Sequence, residues 1–148
     1  MNNKTIAMVI VAVLAVAAVG VGIYFVYGNE DTPDTMSFLI EDGVNNFFWI
    51  EGEGNDGFTA FADACDKNDV LYVNSPSDSM GAFITSISGI EQTEDYSSYW
   101  GLFYYSDGEW VSSDVGISSL KSSEVGFVAF VYGAWGVTPS MNPPAVLI

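Results

Sequence analysis

Few residues in this sequence have the types and spacing that chemistry needs. There is no histidine and a single cysteine, Cys65. Without an imidazole there is no Ser-His or Cys-His pair to activate a nucleophile, and no imidazole metal ligand. Composition leaves room for two carboxylates working as a glycosidase pair, and no motif points to one. Cys65 falls seven residues after Phe58 and four after Phe61, on one face of a predicted helix. A thiol there is inert packing. The expectation is a protein that is not an enzyme.

Glu51, Glu53, Asn55 and Asp56 crowd a Gly-rich stretch that invites comparison with a calcium loop. An EF-hand needs Gly at its sixth position and Glu at its twelfth. Counted from Glu51, those positions hold Asp56 and Ala62. The motif fails, and a solvated loop before a helix explains the acids. No metal site is expected.

The aromatics are the strongest candidates for contact with a ligand. In Tyr99 to Tyr105, strand alternation puts Trp100, Leu102 and Tyr104 on one face and Tyr99, Phe103 and Tyr105 on the other. Asp107-Gly108 is a hairpin turn of the kind that needs positive φ, and it brings Tyr105 opposite Trp110. One face must pack on a helix, and the other is open for contact, where Trp and Tyr are favoured. The alternative is that both sets are core, because a small domain needs its large side chains inside. Tyr99, Trp100, Leu102, Tyr104 and Trp110 are the candidate ligand-binding residues.

The elements that must hold them read as α+β. Met36 to Ile40 and Phe47 to Ile50 form a hairpin across the turn residues Asp42-Gly43 and Asn45-Asn46. Glu51 to Gly57 is a polar break. Phe58, Phe61, Ala62 and Cys65 then recur at helical spacing, with Asp56 or Thr59 as the cap and Asn68-Asp69 as the stop. Short strands follow at Val70 to Val73 and Ala82 to Ile87. The aromatic hairpin, a turn at Ser118 to Leu120 and a closing strand at Phe127 to Tyr132 complete the domain. One helix amid short strands is the α+β pattern. The tail from Thr138 contains Pro139, Pro143 and Pro144 and cannot be a central strand.

Upstream, Ile6 to Tyr27 is uncharged and apolar throughout. Its 22 residues of helix span about 33 Å, enough for a hydrocarbon core of about 30 Å. Lys4 precedes it, and Glu30, Asp31 and Asp34 follow, so the C-terminal domain is expected outside the cytoplasm. A cleaved signal is the rival. Such a signal has an apolar region of about 7–15 residues and a small-x-small cleavage site. This run is longer, and Val26-Tyr27-Gly28 is a poor site. No Cys follows the run to carry a lipid anchor. The expected organisation is a transmembrane anchor at 1–28, a polar linker at 29–35, a domain at 36–136 and a Pro-containing tail at 137–148.

All 19 acidic residues lie beyond Gly28, opposed there only by Lys67 and Lys121. Such a charge disfavours nucleic acid and anionic lipid as partners and suits a cell surface. One cysteine forbids an internal disulfide, so the domain rests on its hydrophobic core.

Three elements occur in order. They are Phe83-Ile84-Thr85-Ser86-Ile87-Ser88-Gly89-Ile90, Tyr99-Trp100-Gly101-Leu102-Phe103-Tyr104, and, after the Asp107-Gly108 turn, Asp114-Val115-Gly116-Ile117 with a closing strand ending near Trp135. From roughly Met36 to Trp135 the chain resembles the C-terminal β domain of the transcobalamin and intrinsic-factor family, and related prokaryotic domains hung from membrane anchors. The resemblance implies a β-grasp-like mixed sheet around one helix, and a binding module. In that family the domain covers one side of cobalamin and a helical barrel covers the other. This sequence contains no such barrel. The expected function is a membrane-anchored extracytoplasmic binding module for a corrinoid, another small ligand or a partner protein. The alternative is a structural or adhesive surface module contacting proteins or glycans.

Overall fold

The computed structural model describes residues 34–76 and 80–144. The predicted span Ile6–Tyr27, most of the linker and the apolar end Ala145–Ile148 lie outside them. Among the described residues no helix is long and apolar enough to cross a membrane.

The chain from Asp34 forms one α+β unit. Strands β1 (Thr35–Glu41) and β2 (Phe47–Glu53) form the expected hairpin. Helix α1 (Gly57–Asn68) is capped by Asp56, whose Oδ1 accepts from Thr59 N at 2.9 Å, and ends at Asp69 in the left-handed region. Three short strands follow, β3 (Tyr72–Asn74), β4 (Ile84–Ile87) and β5 (Ile90–Glu91), then the long β6 (Tyr99–Ser106), β7 (Glu109–Ser112) and β8 (Phe127–Gly133). A 3-10 turn at Ile117–Ser119 precedes β8.

The main sheet has the order β2-β1-β8-β6-β7, with β1 and β8 parallel and every other pair antiparallel. The two central strands carry the most apolar sequences, Ser37-Phe-Leu-Ile40 and Phe127-Val-Ala-Phe-Val131, as strands covered on both faces require. On the inner face Met36, Phe38, Ile40, Val128 and Phe130 pack on Ala60, Phe61, Ala64 and Cys65 of α1. Phe61 is at the centre. Its ring lies 5.3 Å from Phe38, 4.9 Å from Phe130 and 5.3 Å from Tyr72, centroid to centroid. The small sheet β3-β4-β5 closes the same core through Ile84 and Ile87.

Three details differ from the sequence reading. Strand β2 does not break after Ile50 but runs to Glu53, because Gly52 pairs with Met36 and lets α1 lie directly on the strand. A Cβ on Gly52 would sit 2.1 Å from the carbonyl oxygen of Ala60. The helix buries Gly57, Ala60, Phe61, Ala64 and Cys65, while Ala62 is only partly covered. The stripe is turned because small residues let the helix backbone approach the sheet. The short strands begin two residues later than expected, at Tyr72 and Ile84.

Candidate functional site

The β6–β7 hairpin is the frame of the site. Asp107 (φ 53°) and Gly108 (φ 83°) make its two-residue turn and pair Tyr105 with Trp110, whose rings meet at 5.0 Å. The alternation expected from the sequence holds. Its inner face is the one that packs on the core. Trp100 is 6% exposed, stands 5.2 Å from the ring of Tyr132, and donates its indole N–H to the Ile90 carbonyl at 2.8 Å. Leu102 and Tyr104 are half-buried against the same core. Tyr99 and Trp110 lie on the outer face and are half-buried. The five sequence candidates therefore divide between two faces and do not form one patch.

The structure adds two features around the hairpin. The first is a row of half-buried rings on the outer face: Trp49, Phe127, Tyr105 and Trp110, with successive centroids 6.1, 6.5 and 5.0 Å apart. The second is a cleft of about 360 Å³ between the end of the hairpin and residues 113–125. Tyr104, Tyr105 and Ser106 form one wall, and Asp114, Ser119, Lys121 and Glu124 are on the other.

The second wall is a loop in sequence and is fixed in space. Ile117 N donates to Ala82 O at 2.8 Å, and Gly57 N at the start of α1 donates to Leu120 O at 2.7 Å. The Lys121 backbone forms an isolated antiparallel β-bridge with that of Asp56, and Ser122 N donates to Asn55 O. Ser113 Oγ donates to Val115 O at 2.7 Å. Backbone held this way can present a site without a large ordering cost on binding.

The cleft gathers polar groups that the fold leaves unused. Among the described residues, Lys67 pairs with Asp63 at 2.9 Å, whereas Lys121 forms no ion pair. Neither the Tyr104 nor the Tyr105 hydroxyl bonds to another described residue. Two phenols and an ammonium can donate, two carboxylates can accept, and the tyrosine rings offer apolar edges. Such a lining suits a ligand with polar groups around a flat or apolar body. Among the described residues no cluster of three or more His, Cys, Asp or Glu could hold a metal. Cys65 lies in the core, and burial pushes its thiol up to about 12.

Sequence reasoning missed Trp49, Phe127, Lys121, Asp114 and Glu124 as neighbours of the hairpin. Only strand register brings Trp49 and Phe127 together. The loop's place depends on its ties to α1 and Ala82, which no local pattern announces.

Fold and site together define a class: an α+β domain whose sheet holds one helix and whose hairpin end borders a cleft. Residues 58–132, just over half of the chain, match the family DUF4430, a domain of unknown function, and the chain belongs to that family. No curated protein matches the sequence. Among solved structures, the chain is similar to a candidate metal-binding protein from Ruminococcus gnavus ATCC 29149. The TM-score is 0.50 and the identity 13%, covering 68% of this chain and 97% of that one. It is also similar to haptocorrin in complex with Cbi, with a TM-score of 0.52 and 18% identity over 73% of this chain. The match spans 27% of haptocorrin. The likeness is one of fold, and it agrees with the transcobalamin-like fold expected from the sequence.

Proposed function

We propose that this chain is a membrane-anchored, extracytoplasmic binding module whose ligand sits in the cleft beside the β6–β7 hairpin. Residues 6–27 are its anchor, 29–35 its linker and 36–136 its binding domain, followed by the tail at 137–148. It binds and does not catalyse. The observation that carries the reading is the cleft itself, lined by Tyr104, Tyr105 and Lys121 and walled by a loop tied to α1 and to Ala82. A corrinoid is the first candidate ligand, suggested by the haptocorrin likeness and suited to the mixed donors and acceptors. Because the match covers only a quarter or so of haptocorrin, the ligand would need a second body to cover its other side.

The test is calorimetric titration of the detergent-solubilised full chain with cobinamide and with cobalamin. Binding weakened about tenfold by Lys121→Ala, a loss of about 1.4 kcal/mol, is the expected result. No heat with either corrinoid at millimolar concentration removes corrinoid as the ligand. Binding that is indifferent to Lys121→Ala and Tyr105→Ala removes the cleft.

A second reading, a surface module contacting proteins or glycans, is favoured by one observation. At the end of the sheet where β1 and β8 finish side by side, Trp135 is 88% exposed and Val44 69%, with Phe47 also exposed. Isolated apolar residues are ordinary on a surface, and of the three the nearly bare tryptophan is the residue type most favoured in contacts. Under this reading Trp135→Ser abolishes binding to a glycan or protein partner and leaves the cleft untouched.

A further inference from the structure

Among the described residues, neither a helix nor a second sheet packs on the outer-face cluster of the main sheet. Leu39, Phe103, Ala129 and Val131 are nonetheless buried there. Their cover is shared between two tryptophans of the sheet and the C-terminal tail. Met141 packs on this cluster with Trp49 and Trp110.

The tail is held in an unusual way. Pro139, Pro143 and Pro144 deny it backbone donors, and it joins no strand. Its polar ties to the sheet come from two side chains. The Glu41 carboxylate, at the end of β1 and only 7% exposed, accepts from Ser140 N at 2.9 Å, Ser140 Oγ at 3.1 Å and Met141 N at 3.2 Å. The Trp110 indole N–H donates to Met141 O at 2.8 Å. Among the described residues, every hydrogen-bond donor to the buried carboxylate belongs to the tail. The tail leaves β8 through a tight turn, in which Val137 N donates to Ala134 O and Gly136 takes φ 96°. A segment with a hinge at one end, no ladder along its length and two tethers can open without disturbing the strands beneath it.

We propose that the segment 138–144 is a displaceable strap. Glu41 is its latch, and releasing the latch uncovers Leu39, Phe103, Ala129 and Val131 beside the half-exposed row of Trp49, Phe127, Tyr105 and Trp110. The inference does not depend on the ligand of the cleft. The strap gives the domain a closed state with a small apolar surface and an open state with a large one. Glu41 rather than apolar contact alone sets the balance between them.

Thiol labelling of the full chain tests this. Ala129→Cys places a reporter beneath the strap, and native Cys65, on the buried face of α1, reports whole-domain opening in the same molecule. A small methanethiosulfonate reagent should label position 129 at least about tenfold faster after Glu41→Ala than before, as expected when local opening costs less. Cys65 should stay unmodified over the same period. Unchanged labelling at position 129 overturns the proposal, because Glu41 is then no latch. Labelling of both thiols at one accelerated rate also overturns it, because the tail is then part of a single cooperative unit. A second variant guards against a misfolded Glu41→Ala chain. Truncation after Val137 should leave a folded domain with position 129 fully reactive, and a truncated chain that unfolds again overturns the strap.

Discussion

The two faces of the central sheet solve the same problem by different means. The inner face is sealed by α1, whose Phe61 touches three aromatic rings and whose small residues let its backbone lie on Gly52. The outer face is covered by Trp49, Trp110 and Met141, the last on a proline-bearing tail held through Glu41 and Trp110. The tryptophans of the hairpin show the contrast most directly. Trp100 and Trp110 each donate an indole N–H to a backbone carbonyl at 2.8 Å. Trp100 does so inside the core, towards Ile90 in β5, and Trp110 does so at a half-exposed position, towards Met141 in the tail. Identical chemistry is structural on one face and conditional on the other.

The largest expected effect separates these tryptophans. Trp100→Ala should cost about 3–5 kcal/mol, since it empties a fully packed site and orphans a carbonyl. Trp110→Ala should cost about 2 kcal/mol, since part of its surface is already wet and the tail can settle elsewhere. Urea denaturation of the full-length variants measures both. Equal losses would erase the distinction between the faces.

Gly52→Ala comes next. Its Cβ would meet the backbone of Ala60 and Ala64 within 2.4 Å, and backbone cannot swing aside as a side chain can. The helix must lift, at a cost of about 1–3 kcal/mol, and the inner face alone should suffer. Amide exchange should then rise in α1 while Ser140 and Met141, on the other face, remain protected. Loss of protection in the tail as well would mean that both covers depend on one another.

How much of this contrast the sequence shows depends on the range of the forces involved. The hairpin turn at Asp107-Gly108, the Asp56 cap and the Asp69 stop are local, and each stands in the sequence within a few residues of its effect. The burial of Cys65 follows from helical spacing alone. The choice of which hairpin face meets α1 is not local. Alternation separates Trp100 from Tyr99, but only the pairing of β6 with β8 decides which of them points inward. Gly52 reads as a loop residue until the helix is laid upon it. Glu41 and Ser140 are 99 residues apart, and no periodicity links a carboxylate to a tail hydroxyl at that distance. The cleft was half legible: its tyrosines stand in an obvious strand, while Lys121 reaches them by a loop whose path is set by α1.

The smallest expected effect lies at the rim, in the β1–β2 turn, where neither cover reaches. Asp42 accepts from Val44 N at 2.9 Å and from Asn46 Nδ2 at 2.8 Å. The Val44 backbone bond, and then the Asn46 side chain, hold its carboxyl below its ordinary value of 3.8. A carboxyl depressed on folding adds stability above its unfolded midpoint. That stability disappears as pH falls through the lower folded midpoint. Asp42→Ala should therefore lower the melting temperature slightly at pH 7 and leave it unchanged well below pH 3.8, where the native residue is protonated too. The carboxylate is fully exposed, so solvent screens most of what the shift suggests. Its turn presents Val44 rather than covering either face, so labelling at position 129 should be indifferent to the substitution. If Asp42→Ala does speed that labelling, the β1–β2 turn holds Glu41 in place, and the latch extends beyond the residues that touch the strap.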